Sequence, residues 1–144
     1  PRLDGTAATL GQELELVRAY LALMQMRMPD RLTFTVQAGP GVQTLACPPM
    51  TLLTLVENAV QHGIDPSEDG GRIEVRADVL ESGRCRLSVV DTGVGLQETG
   101  GGLGTGLAAL RERLLWAYGG RATLELSEVT PHGVQATIEF VQNP

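Results

Sequence analysis

The sequence predicts a two-layer α/β sandwich: a mixed, mostly antiparallel sheet with helices on one face. Three observations carry that prediction. Helix-period and strand-period segments follow one another as helix, strand, helix, two strands, helix, two strands, an order that suits one sheet covered by helices. The strand segments alternate apolar and polar residues, as sheets with one wet face do. Glycine clusters, not long linkers, punctuate the second half of the 144-residue chain. That length suits one compact unit, and 42% hydrophobic residues supply a core.

The first segment, ATLGQELELVRAYLALMQMRM (8–28), reads as a helix opened by a Thr9/Gln12 capping box. Leu10, Leu14, Val17, Leu21, Met24 and Met28 fall on a heptad seam. Leu16, Tyr20 and Leu23 form a second apolar stripe. Two apolar sides favour a helix bundle, with the seam as an interface, against the simpler reading of a helix lying on its own domain. RLTFTVQA (31–38) alternates as a strand. In CPPMTLLTLVENAVQHG (47–63), Pro49 suits a first helical turn and Gly63 an end. Leu52, Leu53, Val56 and Val60 make the buried face of that helix; Thr54, Asn58, Gln61 and His62 share the other, with Glu57 at its edge. RIEVRADVL (72–80) and RCRLSVVD (84–91) read as strands around a short turn. GLAALRERLLWAYGG (106–120) reads as a helix stopped by glycines. RATLELSEV and GVQATIEFV close the chain as a strand pair. Trp116 falls opposite the apolar stripe of its helix, which leaves a partner surface and a packed position both open.

Composition removes several functions. The formal charge is -6, against nucleic-acid binding. All 11 basic residues are arginine, so a P-loop lysine and a lysine-based kinase pocket are absent. Cys47 and Cys85 lie far apart and away from histidine, the pattern of buried thiols instead of zinc ligands. No secretory signal or membrane-length apolar run occurs, so a cytoplasmic location is expected. The start at Pro1, with a helix soon after, leads to the expectation of a piece of a longer protein.

The candidate site joins three stretches. Asn58 and His62 stand one helical turn apart. An asparagine carbonyl is a hard oxygen ligand suited to Mg²⁺ shared with phosphates, and an imidazole can donate to a phosphate. Asp91 ends an apolar strand, where a partly buried carboxylate accepts strongly; an amino group on a flat base would suit it, at roughly 1.5–3 kcal/mol for a charged hydrogen bond. Gly93 and Gly95 in DTGVGL permit close approach of that base. Gly104 and Gly106 in GTGL open a helix whose free N–H groups attract phosphate. His132, in TPHGV, reads as a loop residue.

In this order the stretches resemble the ATP-binding domain of sensor histidine kinases, within the Bergerat-fold ATPase and kinase superfamily. LVENAVQHG resembles the asparagine box, DTGVGL the first glycine box and GTGLAALRERL the second. The proline pair before the first box, ENA followed by HG, and the RERL…YGG ending resemble the LytS-like branch. The resemblance implies an enzyme that transfers the γ-phosphoryl group of Mg-ATP to a histidine. Asn58 would hold Mg²⁺; Glu57 would act in the metal shell or handle a proton; His62 would touch phosphate. Asp91 would bind the adenine amino group, Gly93 and Gly95 would shape the base pocket, and Gly104, Gly106 and Leu107 would form the phosphate side beneath a short lid, QETGGGL (97–103). Residues 1–29 would be the second helix of a dimerisation hairpin whose first helix, with the acceptor histidine, is absent here; 30–144 would be the catalytic domain. Implied partners are the dimerisation helices in a homodimer and a response-regulator receiver domain. The fragment itself would make no membrane contact, although the full-length protein is free to be membrane-anchored. Val134 stands where relatives often place a threonine near the base, and Thr137 alternates outward.

Three other readings remain. A serine kinase that binds a sigma factor shares the boxes but needs no heptad helix. A conformational ATPase of the chaperone and DNA-repair kind usually carries a glutamate four residues before the asparagine, where this chain has Thr54. An inactive nucleotide-binding interaction module would keep the fold without the chemistry.

Overall fold

The structure is a computed structural model that describes residues 8–95 and 104–141. Helix α1 (Leu10–Arg27) is followed by strand β1 (Leu32–Ala38), helix α2 (Thr51–Asn58), a π-helical segment (Ala59–Ile64), strands β2 (Gly71–Val79) and β3 (Arg84–Asp91), helix α3 (Gly104–Tyr118), a 3-10 turn (Gly119–Arg121), and strands β4 (Ala122–Glu128) and β5 (Val134–Val141). The five strands form one sheet in the order β1-β2-β3-β5-β4. Only the β1–β2 pair is parallel; the other pairs are antiparallel. This is the predicted sandwich, and the strand boundaries fall within a residue or so of the alternation in the sequence.

Alternate strand residues turn inward. Ile73, Val75, Cys85, Leu87, Ile138 and Phe140 are buried beneath the helices. The opposite face is polar, with Arg84 and Arg86 both reaching Glu139, at 3.3 and 2.8 Å. Thr137 belongs to this outer set, its hydroxyl accepting from the Gln135 amide at 3.3 Å. Cys47 and Cys85 are buried free thiols, and burial pushes both up to about 12. No helix among the described residues is long and apolar enough to cross a membrane.

Three local expectations are corrected. The capping box of α1 forms as read, with Gln12 N–H donating to the Thr9 hydroxyl and Thr9 N–H to the Gln12 side chain. The heptad seam, however, is not an open interface. Leu10, Leu14, Val17 and Leu21 are at most 1% exposed and share one core with the sheet and the other helices. A seam spaced 3.5 residues apart serves a domain's own core as well as a bundle's, and here it serves the former. The core shows no break near residue 29. The second stripe is split: Leu16 is 46% and Leu23 55% exposed, while Tyr20 is partly buried against the core.

The second helix begins two residues after Pro49. Met50 precedes it in the left-handed region (φ 67°) with no side-chain cap of its own. Nor does the helix end at Gly63, because it widens after Asn58 into a π-helix that runs to Ile64. Arg31 closes that segment by donating to the carbonyls of Ile64, Asp65 and Ser67 at 3.1, 3.0 and 2.5 Å, satisfying acceptors that a helix end leaves free.

Candidate functional site

Asp91 is the last residue of β3, the central strand, paired with Ile73 on one side and Val134 on the other. It is 3% exposed. Its Oδ1 accepts from the Gly93 N–H at 2.8 Å, forming a tight turn directly after the strand. Burial raises the carboxyl pKa, and the N–H groups of Gly93 and Val134 pull it partly back down. A buried acceptor at the end of a central strand, already oriented by backbone donors, is a strong hydrogen-bonding anchor.

The π-helical segment crosses this strand end. A Cβ on Gly63 would sit 2.7 Å from Asp91 Oδ1, and one on Gly93 would lie 2.1 Å from the Gly63 carbonyl oxygen. Side chains at either position would collide with backbone or with the carboxylate. Val94 N–H donates to that same Gly63 carbonyl at 3.1 Å. Gly63 is thus a close-contact residue and not a helix cap. The widened turn carries His62, half-buried, to the strand end beside it. Gly95 follows with φ 89°.

The third stretch arrives through α3. A Cβ on Gly106 would meet the Thr54 methyl at 3.9 Å, so the start of α3 stands over the turn of α2 that leads into Asn58. Leu107 is buried beneath it. Glu57 and Asn58 are half-buried on the last turn of α2. The Glu57 charge is felt at Tyr20 of α1, where after burial it is the next cause of the raised pKa. The structure brings Gly63, Asp91, Gly93 and Gly133 into contact at one strand end. Gly95 lies against Gly133, Asn58 and His62 are carried by the helical segment that contains Gly63, and Gly106 lies over Thr54 one turn before Asn58. Gly104 belongs to the first turn of α3, while Leu96 and the expected lid, 97–103, lie outside the described residues. Val134 is buried and pairs with Asp91 across the sheet.

Three contributors escaped the sequence reading. Glu13, 4% exposed on α1, accepts from Met50 N–H at 3.1 Å and Leu53 N–H at 3.0 Å; it caps α2 from another helix, where negative charge is favoured. The missing Ser, Thr, Asp or Asn cap before Thr51 was the available signal. Arg113 on α3 donates to the Pro49 carbonyl at 2.8 Å and the Thr54 hydroxyl at 3.1 Å, tying α3 to the same turn. His132 places Nδ1 2.7 Å from the Gly93 carbonyl.

The residues present fit a nucleotide. Asp91, held by the close-packed glycines around it, presents an acceptor suited to an amino group on a flat base. No group of three His, Cys, Asp or Glu among the described residues could hold a metal by itself.

Residues 48–143 match the model of the histidine kinase-, DNA gyrase B- and HSP90-like ATPases. The chain belongs to this ATPase family. The domain is 34% identical over 128 residues to the sensor protein LytS of Staphylococcus haemolyticus, covering 81% of this chain and 22% of that protein. It is 32% identical over 115 residues to the sensor histidine kinase YesM of Bacillus subtilis, covering 77% and 20%. The chain thus spans about a fifth of the length of the curated relatives it matches. Among solved structures, the catalytic domain of the histidine kinase ThkA superimposes with a TM-score of 0.73 at 18% identity, covering 96% of this chain and 98% of that one, a likeness of fold. The ATPase domain is therefore homologous to that of sensor histidine kinases of the LytS and YesM kind.

Proposed function

We propose that the ATPase domain binds Mg-ATP and transfers its γ-phosphoryl group to a histidine on a dimerisation helix of the same kinase. The observation that carries the reading is the buried Asp91 carboxylate, walled by Gly63 and Gly93 at distances that exclude side chains. Asp91 accepts from the adenine amino group, and Gly93 and Gly95 line the base. Asn58 supplies an oxygen to Mg²⁺, with Glu57 beside it in the metal shell or handling a proton. His62 touches phosphate. Gly104, Gly106 and Leu107 form the phosphate side, where the first turn of α3 offers free N–H groups. The bound Mg²⁺ supplies charge neutralisation. Positioning and electrostatics suffice for a transfer of this type.

The same reading assigns residues 1–29 to the end of the dimerisation region and 30–144 to the catalytic domain. Helix α1 gives its seam to the catalytic core and keeps Leu16 and Leu23 for the hairpin. A homodimeric kinase with a cytoplasmic catalytic portion then passes the phosphoryl group to a response-regulator receiver domain. A conformational ATPase is disfavoured by Thr54, whose hydroxyl donates to the Met50 carbonyl at 2.6 Å and accepts from Arg113. It has no basic function to offer water.

Calorimetric titration with ATP, with and without Mg²⁺, tests the assignment. Binding strengthened by Mg²⁺ and weakened about ten-fold or more by Asn58→Asp is expected, since that change alters the metal's ligand set. Absence of any nucleotide signal, or an Asn58→Asp variant that binds as the natural chain does, overturns it.

A further inference from the structure

The turn between β4 and β5 belongs to none of the three motifs, yet it is fastened to the strand end that carries Asp91. The hydrogen bond from His132 joins residues 39 apart in sequence, at 2.7 Å. The Gly93 carbonyl can only accept, so Nδ1 carries the proton in this contact. Beside it, Gly133 lies at φ 129°, and a Cβ there would stand 2.0 Å from the Asp91 carbonyl oxygen. Val129 N–H closes the turn by donating to the Gly133 carbonyl at 3.0 Å. Gly95 approaches from the other side: a Cβ on it would lie 3.6 Å from Gly133 N.

Gly93 is thereby held from two directions. Its N–H is fixed by Asp91 Oδ1 and its carbonyl by the His132 ring. Its backbone also rests against Gly63. The imidazole is the one of these restraints that comes from an exposed side chain. It could be removed without opening the core.

We propose that His132 is a positioning residue of the nucleotide site, which fixes the peptide after Asp91 so that the carboxylate and the Gly93 backbone present one surface to the base. This rests on the assignment of Asp91 to adenine. It adds the β4–β5 turn as a fourth element of the site, acting at the base end and not on the phosphates or the metal.

The test uses His132→Ala and His132→Asn in the whole chain. Asparagine places an amide N–H near the position of Nδ1, whereas alanine offers no donor. Calorimetry gives the Kd for ADP without metal and for ATP with Mg²⁺, and urea unfolding gives stability. His132→Ala should raise both Kd values by the same factor, about two- to ten-fold for one neutral hydrogen bond. His132→Asn should bind within about two-fold of the natural chain, on the same scale. Equal affinity in all three chains overturns the proposal, as does equal loss in both variants. Loss confined to Mg-ATP also overturns it by placing the effect at the phosphates. If the natural chain binds neither nucleotide, the assignment of Asp91 falls and this inference falls with it.

Discussion

At the end of β3 the backbone is in close contact on several sides, while on the helical segment that reaches it the side chains of Asn58 and His62 are only half-buried. Asp91 is buried, bonded to Gly93 and crowded by Gly63. Gly133 presses on its carbonyl from the β4–β5 turn. Asn58, Glu57 and His62 stand half-exposed where an α-helix relaxes into a π-helix, a feature frequent at functional sites. On the proposed assignment, the base end is built before the ligand arrives and the phosphate end is completed by the ligand and its metal. Rigidity belongs where shape is read; adaptability belongs where charge must be gathered.

The largest break in that contrast should come from Gly93→Ala. The new methyl would need the space occupied by the Gly63 carbonyl, 2.1 Å away, and backbone cannot yield as a flexible side chain can. A loss of about 3 kcal/mol or more is expected from such a clash, read by urea unfolding. A variant within about 1 kcal/mol of the natural chain, well below that range, would show that the π-helical segment and the glycine turn are free to separate, and the contrast would vanish.

Asp91→Asn separates function from stability at the same rigid end. Nucleotide affinity should fall about ten-fold or more, the worth of a hydrogen bond to a charged group. Asparagine can still accept from Gly93 N–H, so the fold should persist. The pH dependence has a definite sign. The folded carboxyl has a raised pKa, so its contribution to stability is fully present below the unfolded value of about 3.9 and is lost as pH rises through the folded value. The uncharged variant escapes that loss. Its unfolding free energy relative to the natural chain should therefore improve as pH rises above about 4, measured by urea unfolding at several pH values. A difference independent of pH would mean that Asp91 is better solvated than its burial implies.

Glu13→Gln probes the support of the adaptable end. The carboxylate serves two N–H groups at the start of α2, and a glutamine retains one acceptor oxygen. A loss of about 1–2 kcal/mol of stability is expected from a damaged cap, with the ADP affinity of the folded chain unchanged. If ADP binding falls with stability, the start of α2 is coupled to the base end and the two regions are one unit.

The rigid end was also the more legible in the sequence. RLSVVD ends its alternation at Asp91, and Gly93 just after it marks a position where a side chain would not fit. The inward faces of β2, β3 and β5 could be read for the same reason: a period of two admits one register of burial. The rest depended on partners distant in the chain. Glu13 caps residues 37 and 40 positions away, and His132 bonds one 39 away; local patterns carry no trace of such pairs. The π-helical widening after Asn58 escaped because an apolar stripe drawn at 3.6 residues per turn assumes the very geometry that changes there. The seam of α1 shows the opposite limit, since its spacing was read correctly but its partner was not.

Trp116 offers the smallest expected effect and the sharpest division between the two explanations its sequence position allowed. It is 89% exposed, beside Leu115 at 63%, so packing within the domain accounts for neither side chain. An exposed residue away from caps and buried networks usually contributes within about 0.5 kcal/mol, so Trp116→Ala should leave urea unfolding and nucleotide Kd unchanged. A tryptophan carries a large apolar area, which here lies in water on the outer side of α3 and is open to a partner. If the variant unfolds more than about 1 kcal/mol more easily, beyond the range expected of an exposed side chain, Trp116 is packed after all. If neither property moves, its effect must be sought in assays that include the dimerisation helices, where loss of phosphoryl transfer with intact ATP binding would assign α3's outer side to docking and leave both ends of the nucleotide site as drawn.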